Sequence, residues 1–414
     1  MNRITIYALA ALTICSLLLL PASSSGLTTS NVTLSASGVV QYNNLSVNKA
    51  VTAFGVWFTD TDTSFVANHF TFLTTDFDGS RTDFYIPFLP AMQSIKTKNP
   101  NVKIIGYKEL IGIYDYNDDW AEVNSHEDWF IHDANGNRIV NSQYGWYLMD
   151  VGSQGWRQHW VSYVNSKMTN TPYDGVFADD VWTEIWSWYL AALDHTVKDS
   201  DVSRWHADTA GMLQYVKANM LPGKILVINT DEGILWQSDT HDYRDIADGY
   251  MIEGYFHAVW EDPTTYHSDY NINRQIDALA SDSAAGKIVL AASGTLTSDS
   301  ETTNRLVKAC YVMFLLGVNG PQAYWSFNES PVGWYVLDGN YQPIMDTDIG
   351  QPTGAYYISQ NVYMRDFTGG KALFNPSASS YTVNLGGTYK LLDGATVSSV
   401  TLNSYSGEIL LSPT

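Results

Sequence analysis

The chain has 414 residues, 45% of them hydrophobic and 14% aromatic, which supplies a large core and argues against global disorder. Its 43 acidic residues outnumber the 22 Lys and Arg residues, so the formal net charge is −21 at pH 7. Nucleic acid and anionic lipid would be repelled by this charge, and we expect neither as a partner. The length suits one large barrel with a small additional domain.

Residues 1–25 have the pattern of a secretory signal peptide. Arg3 gives a positive start, residues 6–20 form an apolar run, and residues 21–25 offer small side chains for cleavage. The run is short for a membrane span, although an uncleaved anchor is the alternative. We therefore expect a secreted or cell-envelope protein with no membrane contact after cleavage. Only Cys310 would then remain, as a buried thiol without a disulfide.

Residues 26–48, rich in Ser, Thr and Asn, predict a linker, and from residue 49 strand patterns alternate with amphipathic helix patterns. Eight such units over residues 49–355 fit a (β/α)8 barrel. An open doubly wound sheet is the alternative, but the residues that follow the first strand form no glycine-rich loop. The predicted barrel strands are residues 52–58, 70–74, 102–107, 175–179, 225–229, 249–253, 288–292 and 322–326.

The pattern changes near residue 356, where six short strand patterns are separated by turn residues. Residues 356–414 are therefore predicted to form a small, β-sandwich-like antiparallel domain. A structural cap on the barrel is the expected role, and a sugar-binding module is the alternative. The fold class is thus α/β, a TIM barrel with a C-terminal β domain. The last barrel helix is expected to open with a capping box over residues 298–301.

Two predicted strands end in acids. The fourth strand runs into Asp179, Asp180 and Trp182, and the sixth ends at Glu253. In barrels of this kind, polar residues at the C-terminal strand ends line the active site. Side chains alternate along a strand, so Asp179, in phase with Phe177, is favoured for chemistry and Asp180 for support. A register error of one residue would exchange these two roles.

The apolar neighbours of Glu253 predict a raised pKa and the role of a general acid, with Asp179 as nucleophile or base. A structural salt bridge from Glu253 to Lys108 or Arg244 is the alternative. Acids beside aromatic residues are the equipment of glycoside hydrolysis, because two carboxyl groups do the chemistry and aromatic rings hold the sugar. Substrate contacts are expected from strand-end residues, namely Trp57, Asp60, Lys108, Glu109, Trp182, Asn229, Asp231 and Trp325.

The sequence therefore predicts cleavage of a polysaccharide or oligosaccharide, with a carbohydrate as partner and no cofactor or metal. Two alternatives stay open. One is a non-catalytic glycan-binding or cell-envelope protein on the same barrel. The other is a metal-dependent deacetylase or hydrolase, because Glu253, His257 and Glu261 have the spacing of helical metal ligands. No Gly-x-Ser-x-Gly motif occurs, so serine hydrolase chemistry has no support.

Residues 174–180 are similar to the strand of retaining barrel glycosidases of the α-glucosidase and α-galactosidase group, whose terminal Asp is the nucleophile. This resemblance implies the same role for Asp179. The second acid of those enzymes lies on a different strand, so Glu253 is inferred from its position and not carried over from them. Over residues 50–412 the chain resembles bacterial and archaeal glycoside-hydrolase-like (β/α)8 proteins and, more distantly, endo-polygalactosaminidase-like barrels. The motifs that carry this resemblance are residues 129–133, 148–150, 156–157, 249–253, 371–376 and 406–411.

Overall fold

The computed structural model describes residues 33–34, 40–41, 49–53, 58–77, 88–185, 192–230, 241–265, 267–328 and 341–413. Within these ranges, eight parallel strands form one sheet in which neighbours follow the chain order. A parallel bridge between Lys49 and Trp325 joins its first and last strands, so the sheet closes into the predicted barrel and the open-sheet alternative is wrong. The predicted signal peptide, Trp57 and Asp231 lie outside the described residues.

The fourth, fifth and sixth barrel strands have the predicted limits. In the part of the chain that the structure describes, the other five barrel strands differ from the predicted limits by one to five residues at one or both ends. Two short antiparallel ladders lie outside the barrel, β1 with β2 and β6 with β7. The barrel strands are β3 (Ala50–Ala53), β4 (Phe72–Asp76), β5 (Lys103–Glu109), β8 (Gly175–Asp179), β9 (Ile225–Asn229), β10 (Gly249–Glu253), β11 (Ile288–Gly294) and β12 (Ala323–Asn328). The ladder strands are β1 (Thr33–Leu34), β2 (Val40–Gln41), β6 (Gly112–Ile113) and β7 (Tyr147–Leu148).

Most of the described helices follow barrel strands, while α3 and α4 follow the ladder strands β6 and β7. Helix α1 opens with a capping box in which Thr59 and Asp62 bond each other's backbone, which the sequence analysis did not predict. In α8 the cap is Asp299, whose carboxylate accepts from Thr302 N at 2.9 Å, one residue after the predicted Ser298. The helices are α1 (Asp60–His69), α2 (Phe88–Lys98), α3 (Trp120–Val123), α4 (Gln154–Met168), α5 (Asp199–Asn219), α6 (His241–Ile246), α7 (Asp269–Ala284) and α8 (Ser300–Gly317).

The strands send alternate side chains to two cores, because side chains on a strand point to opposite faces. One set fills the barrel interior and includes Phe72, Ile105, Phe177, Val227 and Met251. The other set packs beneath the helices, together with the indoles of α4 and α5. Cys310 belongs to this outer core, where burial raises the pKa of its thiol to about 12, as expected of a packing residue. Among the described helices, none is long and apolar enough to cross a membrane.

A six-stranded antiparallel sheet follows the barrel, in the order β13-β14-β15-β18-β16-β17. One of its faces packs on α8 through Tyr363, Phe374 and Ile409, while the opposite face has a small core of its own. The domain limits given above stay predictions. The strands are β13 (Tyr357–Ser359), β14 (Val362–Phe367), β15 (Gly370–Phe374), β16 (Tyr381–Lys390), β17 (Thr396–Leu402) and β18 (Gly407–Leu411).

Candidate active site

Four neighbouring barrel strands present polar side chains at the same mouth. Glu109, Asp179, Asn229 and Glu253 are the last residues of β5, β8, β9 and β10. Each lies two or four residues beyond a residue of the interior cluster, such as Phe177 before Asp179. With a side-chain period of two, all four therefore face the inside of the barrel at its C-terminal end.

Asn229 links the two acids that were predicted to work as a pair. Its amide nitrogen Nδ2 donates to Asp179 Oδ1 at 2.9 Å and to Glu253 Oε2 at 2.7 Å. The two acceptor oxygens therefore lie no farther apart than these two distances combined. That limit is below the roughly 6.5 Å at which inverting pairs begin and is close to the roughly 5–5.5 Å of retaining pairs.

Asp179 is surrounded by hydrogen-bond donors that favour its charged form. Burial raises the pKa of its carboxyl, whereas hydrogen bonds from the Asn229 amide and the Asp180 backbone lower it. The Tyr107 hydroxyl lowers it as well, although its single proton is shared with Glu109. Burial is the largest of these effects, so the net pKa stays above its usual value. Because the Asn229 amide and the Asp180 backbone both donate to it, Asp179 is the carboxyl of this cluster best suited to hold the negative charge.

Glu109 has the opposite character. It is paired with Asp179 in the parallel register of β5 and β8, and its side chain is only 3% exposed. Tyr107 donates its hydroxyl to Glu109 Oε2 at 2.8 Å, while Oε1 is buried with no hydrogen-bond partner among the described residues. Burial, and then the charge of Asp179, raise the pKa of Glu109 to about 8. These surroundings therefore favour the protonated form of Glu109.

Asp180 completes the acidic cluster from the turn that follows β8. Its φ of 54° is in the left-handed region, which is uncommon for a residue other than glycine and turns the chain away from the strand direction. Burial, followed by the charges of Glu109 and Asp179, raises its pKa well above the usual value. The side chain of Asp180 therefore lies near Glu109 and Asp179. Alternation along the strand would instead have sent the side chains of Asp179 and Asp180 to opposite faces.

Two tryptophans of α4 hold the end of β5 from outside the barrel. Trp160 Nε1 donates to the carbonyl of Glu109 at 2.8 Å, and Trp156 Nε1 donates to the carbonyl of Leu110 at 3.1 Å. Both indoles are fully buried. The backbone that carries Glu109 is thereby fixed by side chains one helical turn apart on α4.

A cleft opens beside Glu109 and is lined by aromatic residues that were not predicted from the sequence. Tyr107 comes from β5, and Tyr114 and Tyr116 come from the segment after β6. The rings of Tyr114 and Tyr116 stack with centroids 4.8 Å apart and planes at 24°. Tyr107 could have been found from its phase with Glu109 on β5, whereas the segment after β6 has no such periodic signal.

Two other predicted contacts have partners within the protein, although Lys108 also lines the cleft beside Glu109. Lys108 faces α4, where its ammonium donates to Asp119 at 2.7 Å and lies 4.1 Å from the centre of the Tyr163 ring. Trp325 is 1% exposed and donates its indole N–H to Ser293 at 3.2 Å. A ring buried in this way offers no surface to a sugar, so the prediction of Trp325 as a substrate contact is corrected.

Trp182 and Asp60 were predicted as substrate contacts at strand ends, and the structure places them differently. Trp182 is buried, 4% exposed, and packs near Trp146 with ring centroids 5.9 Å apart. Asp60 is exposed in the first turn of α1, where its charge suits the helix N-terminus. Trp57 and Asp231 lie outside the described residues, so their roles stay predictions.

The residues with metal-ligand spacing have other partners. His257 contacts the Gly294 carbonyl through Nδ1 at 2.8 Å, and Glu261 accepts from the Ala258 backbone at 2.7 Å. In the ranges that the structure describes, no group of three or more His, Cys, Asp or Glu side chains is placed to hold a metal ion. The alternative salt-bridge partners of Glu253 are also engaged, Lys108 with Asp119 and Arg244 with Asp282.

Comparisons with known proteins agree with this barrel. The model of hypothetical glycosyl hydrolase family 15 matches residues 96–371. No curated protein matches the sequence. Among solved structures, a noncanonic maltogenic α-amylase from Thermotoga neapolitana has 14% identity and a TM-score of 0.51, with 89% of this chain and 99% of that chain covered. A GH36 α-galactosidase from Geobacillus stearothermophilus has 8% identity and a TM-score of 0.50, with 88% and 55% covered.

At these identities the solved structures show the shared fold alone. The family model, in contrast, spans well over half of the chain and includes β5, β8, β9 and β10, the strands that carry the acids. It also includes the start of the C-terminal sheet. The chain belongs to hypothetical glycosyl hydrolase family 15 and is a glycoside hydrolase on a TIM barrel.

Proposed function

We propose that this protein cleaves glycosidic bonds within an oligosaccharide or polysaccharide, with Asp179 as the nucleophile and Glu253 as the general acid. The observation that carries this proposal is the Asn229 amide that bonds both carboxyl groups. It supports the pairing because each acid is held at a defined distance from a shared nitrogen. Asp180 is proposed to support the pair, since it lies in the same acidic cluster.

The proposed reaction has two steps. Glu253 gives its proton to the glycosidic oxygen while an Asp179 oxygen attacks the anomeric carbon, so the leaving sugar departs and a glycosyl ester forms. Glu253 then takes a proton from water, whose oxygen attacks the same carbon and releases Asp179. The spacing set by Asn229 supports this retaining course over an inverting one, because it leaves less room for a water between the acids.

We also propose that the protein is exported and meets its substrate outside the cytoplasm. The positive start, apolar run and small residues of positions 1–25 support this view. An acidic surface is compatible with a neutral or cationic carbohydrate as substrate. Asn229 in the mouth, and Trp57 and Asp231 near predicted strand ends, are proposed as further substrate contacts.

The test is a hydrolysis screen of the chain against a glycan panel, with the anomer of the product followed by NMR. The panel includes maltohexaose, stachyose and galactosamine oligomers, so that the sugars named for the structural neighbours and the family resemblance are covered. We expect Asp179→Asn and Glu253→Gln each to lower kcat by at least about 10²-fold. Asp199→Asn and Glu301→Gln, at exposed helix starts, are the matched controls and should leave kcat unchanged.

Retained turnover in both active-site variants would overturn the assignment of the pair. A product released first with inverted configuration would remove the nucleophile role from Asp179 while keeping hydrolysis. Binding without turnover across the panel would favour a glycan-binding protein on the same barrel.

A further inference from the structure

The cleft beside Glu109 is lined in part by the segment that follows β6. Its lining combines carboxylates, an amide, the Lys108 ammonium and aromatic rings, and includes Asp76, Glu109, Tyr114, Tyr116 and Asn117. Sugar rings require such a mixture, because their hydroxyl groups take hydrogen bonds while their C–H faces pack on aromatic rings. The cleft therefore has the chemistry of a carbohydrate site beyond the point of cleavage.

Tyr114 connects the acids to the outer part of this cleft. Burial, and then the charge of Glu109, raises the pKa of its hydroxyl, with smaller contributions from Asp180 and Asp179. These interactions place Tyr114 beside the acidic cluster. Tyr116 continues the aromatic surface outward, since its ring stacks on that of Tyr114 at 4.8 Å and is 47% exposed.

The segment that carries the two tyrosines is held in place by its own backbone. Tyr114 N donates to the Asn117 side chain at 2.9 Å, and Asn117 N donates back to the Tyr114 carbonyl at 3.2 Å. β6, immediately before the segment, is paired with β7. A half-exposed aromatic ring on a fixed turn is already ordered before a ligand arrives, which lowers the entropic cost of binding.

We propose that Tyr116, stacked on Tyr114, is the platform of a second sugar-binding subsite that holds a sugar unit adjacent to the one whose bond is cleaved. The proposal rests on the function proposed above and adds that the substrate is longer than the two groups flanking the scissile bond. The ring of the bound sugar packs its C–H face on the exposed side of Tyr116. The Asn117 amide and the Asp76 carboxylate, which line the same cleft, are placed for its hydroxyl groups.

The test compares Tyr116→Ala with Tyr116→Phe and with Tyr357→Ala, which removes a tyrosine of similar exposure from the C-terminal sheet. The probes are oligosaccharides of four to six units and the 4-nitrophenyl glycoside of the same terminal sugar. We expect Tyr116→Ala to raise KM for the oligosaccharide about five- to tenfold with kcat little changed, which matches the usual strength of an aromatic contact. KM for the 4-nitrophenyl glycoside should not change, and Tyr116→Phe and Tyr357→Ala should behave as the unsubstituted chain.

Equal effects of Tyr116→Ala on both probes, or on neither, would overturn the subsite. Should the chain hydrolyse nothing in the panel, the two proposals separate by binding to immobilised glycans. Binding that Tyr116→Ala weakens would keep the subsite and remove hydrolysis, whereas no binding at all would remove both.

Discussion

Glu109 and Asp179 lie side by side in register on β5 and β8, yet their surroundings favour different protonation states. The Asn229 amide and the Asp180 backbone favour the charged form of Asp179, while the single hydroxyl proton of Tyr107 is shared between Asp179 and Glu109. Two ionised carboxylates at this separation would repel each other, so the raised pKa values of Glu109 and Asp180 favour their protonated forms beside Asp179. Separated protonation of neighbouring acids is what acid–base catalysis requires.

The pH dependence of folding stability should report the protonation of Glu109. The pKa of Glu109 is about 8 in the folded chain against 4.5 ordinarily, so the unfolded chain releases the proton first. Between about pH 4.5 and 8 the folded state binds more protons, and the contribution of Glu109 to the free energy of unfolding falls as pH rises. Glu109→Gln keeps the shape of the protonated acid and removes this loss. We therefore expect its Tm to equal that of the unsubstituted chain at pH 4 and to exceed it by a few degrees at pH 8.

Urea unfolding or calorimetry at both pH values would measure this difference, with Glu301→Gln as a control that shows no pH-dependent gain. A Glu109→Gln variant that is equally or less stable at pH 8 would mean that Glu109 is ionised in the folded chain. The variant also distinguishes a structural role of Glu109 from a catalytic one. If Glu109 acts only as a neutral neighbour of Asp179, an uncharged Gln should preserve activity near neutral pH.

Much of the site at this scale follows from the sequence, and the rest depends on three-dimensional surroundings. Asp179 and Glu253 were predictable because each ends a short apolar strand, and the period of two also places Trp325, next to the inward Tyr324, outside the mouth. The protonation of Glu109 was not predictable, because it depends on burial and on Asp179 across the strand pair. The direction of Asp180 was not predictable either, since it depends on a left-handed backbone.

At the scale of elements, the predicted and observed strand limits agree best where turn residues lie at the ends of a strand. Gly175 and Gly249 begin β8 and β10, and both strands have the predicted limits. A Cβ added to Gly175 would lie 2.1 Å from the carbonyl oxygen of Ile225, and one added to Gly249 would lie 2.4 Å from Ile288 Cβ. The absence of a side chain at these two positions therefore allows the strands to pair closely. The caps were harder to predict, since Ser298, Asp299 and Ser300 can each cap a helix and only the backbone chooses among them.

The buried Arg365 joins α8 to the C-terminal sheet. Its guanidinium Nη1 donates to the carbonyls of Leu315, Leu316 and Val318 at 2.6–3.1 Å, and these belong to the helix end that has no partners within the helix. The positive charge of Arg365 also interacts favourably with the negative, C-terminal end of the helix dipole. Arg365→Met would leave buried carbonyls unpaired, and we expect it to lower the free energy of unfolding by about 2–4 kcal/mol.

Chemical denaturation of Arg365→Met checks this value, with Lys198→Met, an exposed charge at the start of α5, as the control. A loss below about 0.5 kcal/mol would show that water or other groups satisfy the helix end equally well. Arg365 binds the C-terminal end of α8, which leads into the start of β12, whereas the acids lie at the opposite, C-terminal ends of the barrel strands. The substrate KM should therefore not change at temperatures where the variant is folded.

At the scale of the whole molecule, the C-terminal sheet is connected to the loop that follows Glu253. Phe374 of β15 packs edge-on against Phe256, with ring centroids 4.9 Å apart and planes at 85°. Phe256 itself has a φ of 65°, a conformation that L residues rarely adopt, and its backbone N–H donates to Gln275 at 2.6 Å. Strain of this kind persists only where neighbouring structure holds it, and Phe374 supplies part of that support.

Phe374→Ala should therefore lower both stability and activity. Loss of a fully buried ring costs about 3–5 kcal/mol, and release of Phe256 would let the end of β10 and the carboxyl of Glu253 move. Leu373→Ala is the matched control, because Leu373 is equally buried but lies in the separate core on the opposite face of the sheet. At a temperature well below both Tm values, only Phe374→Ala should reduce kcat. Equal kcat values for the two variants would mean that the sheet stabilises the barrel without positioning its acids.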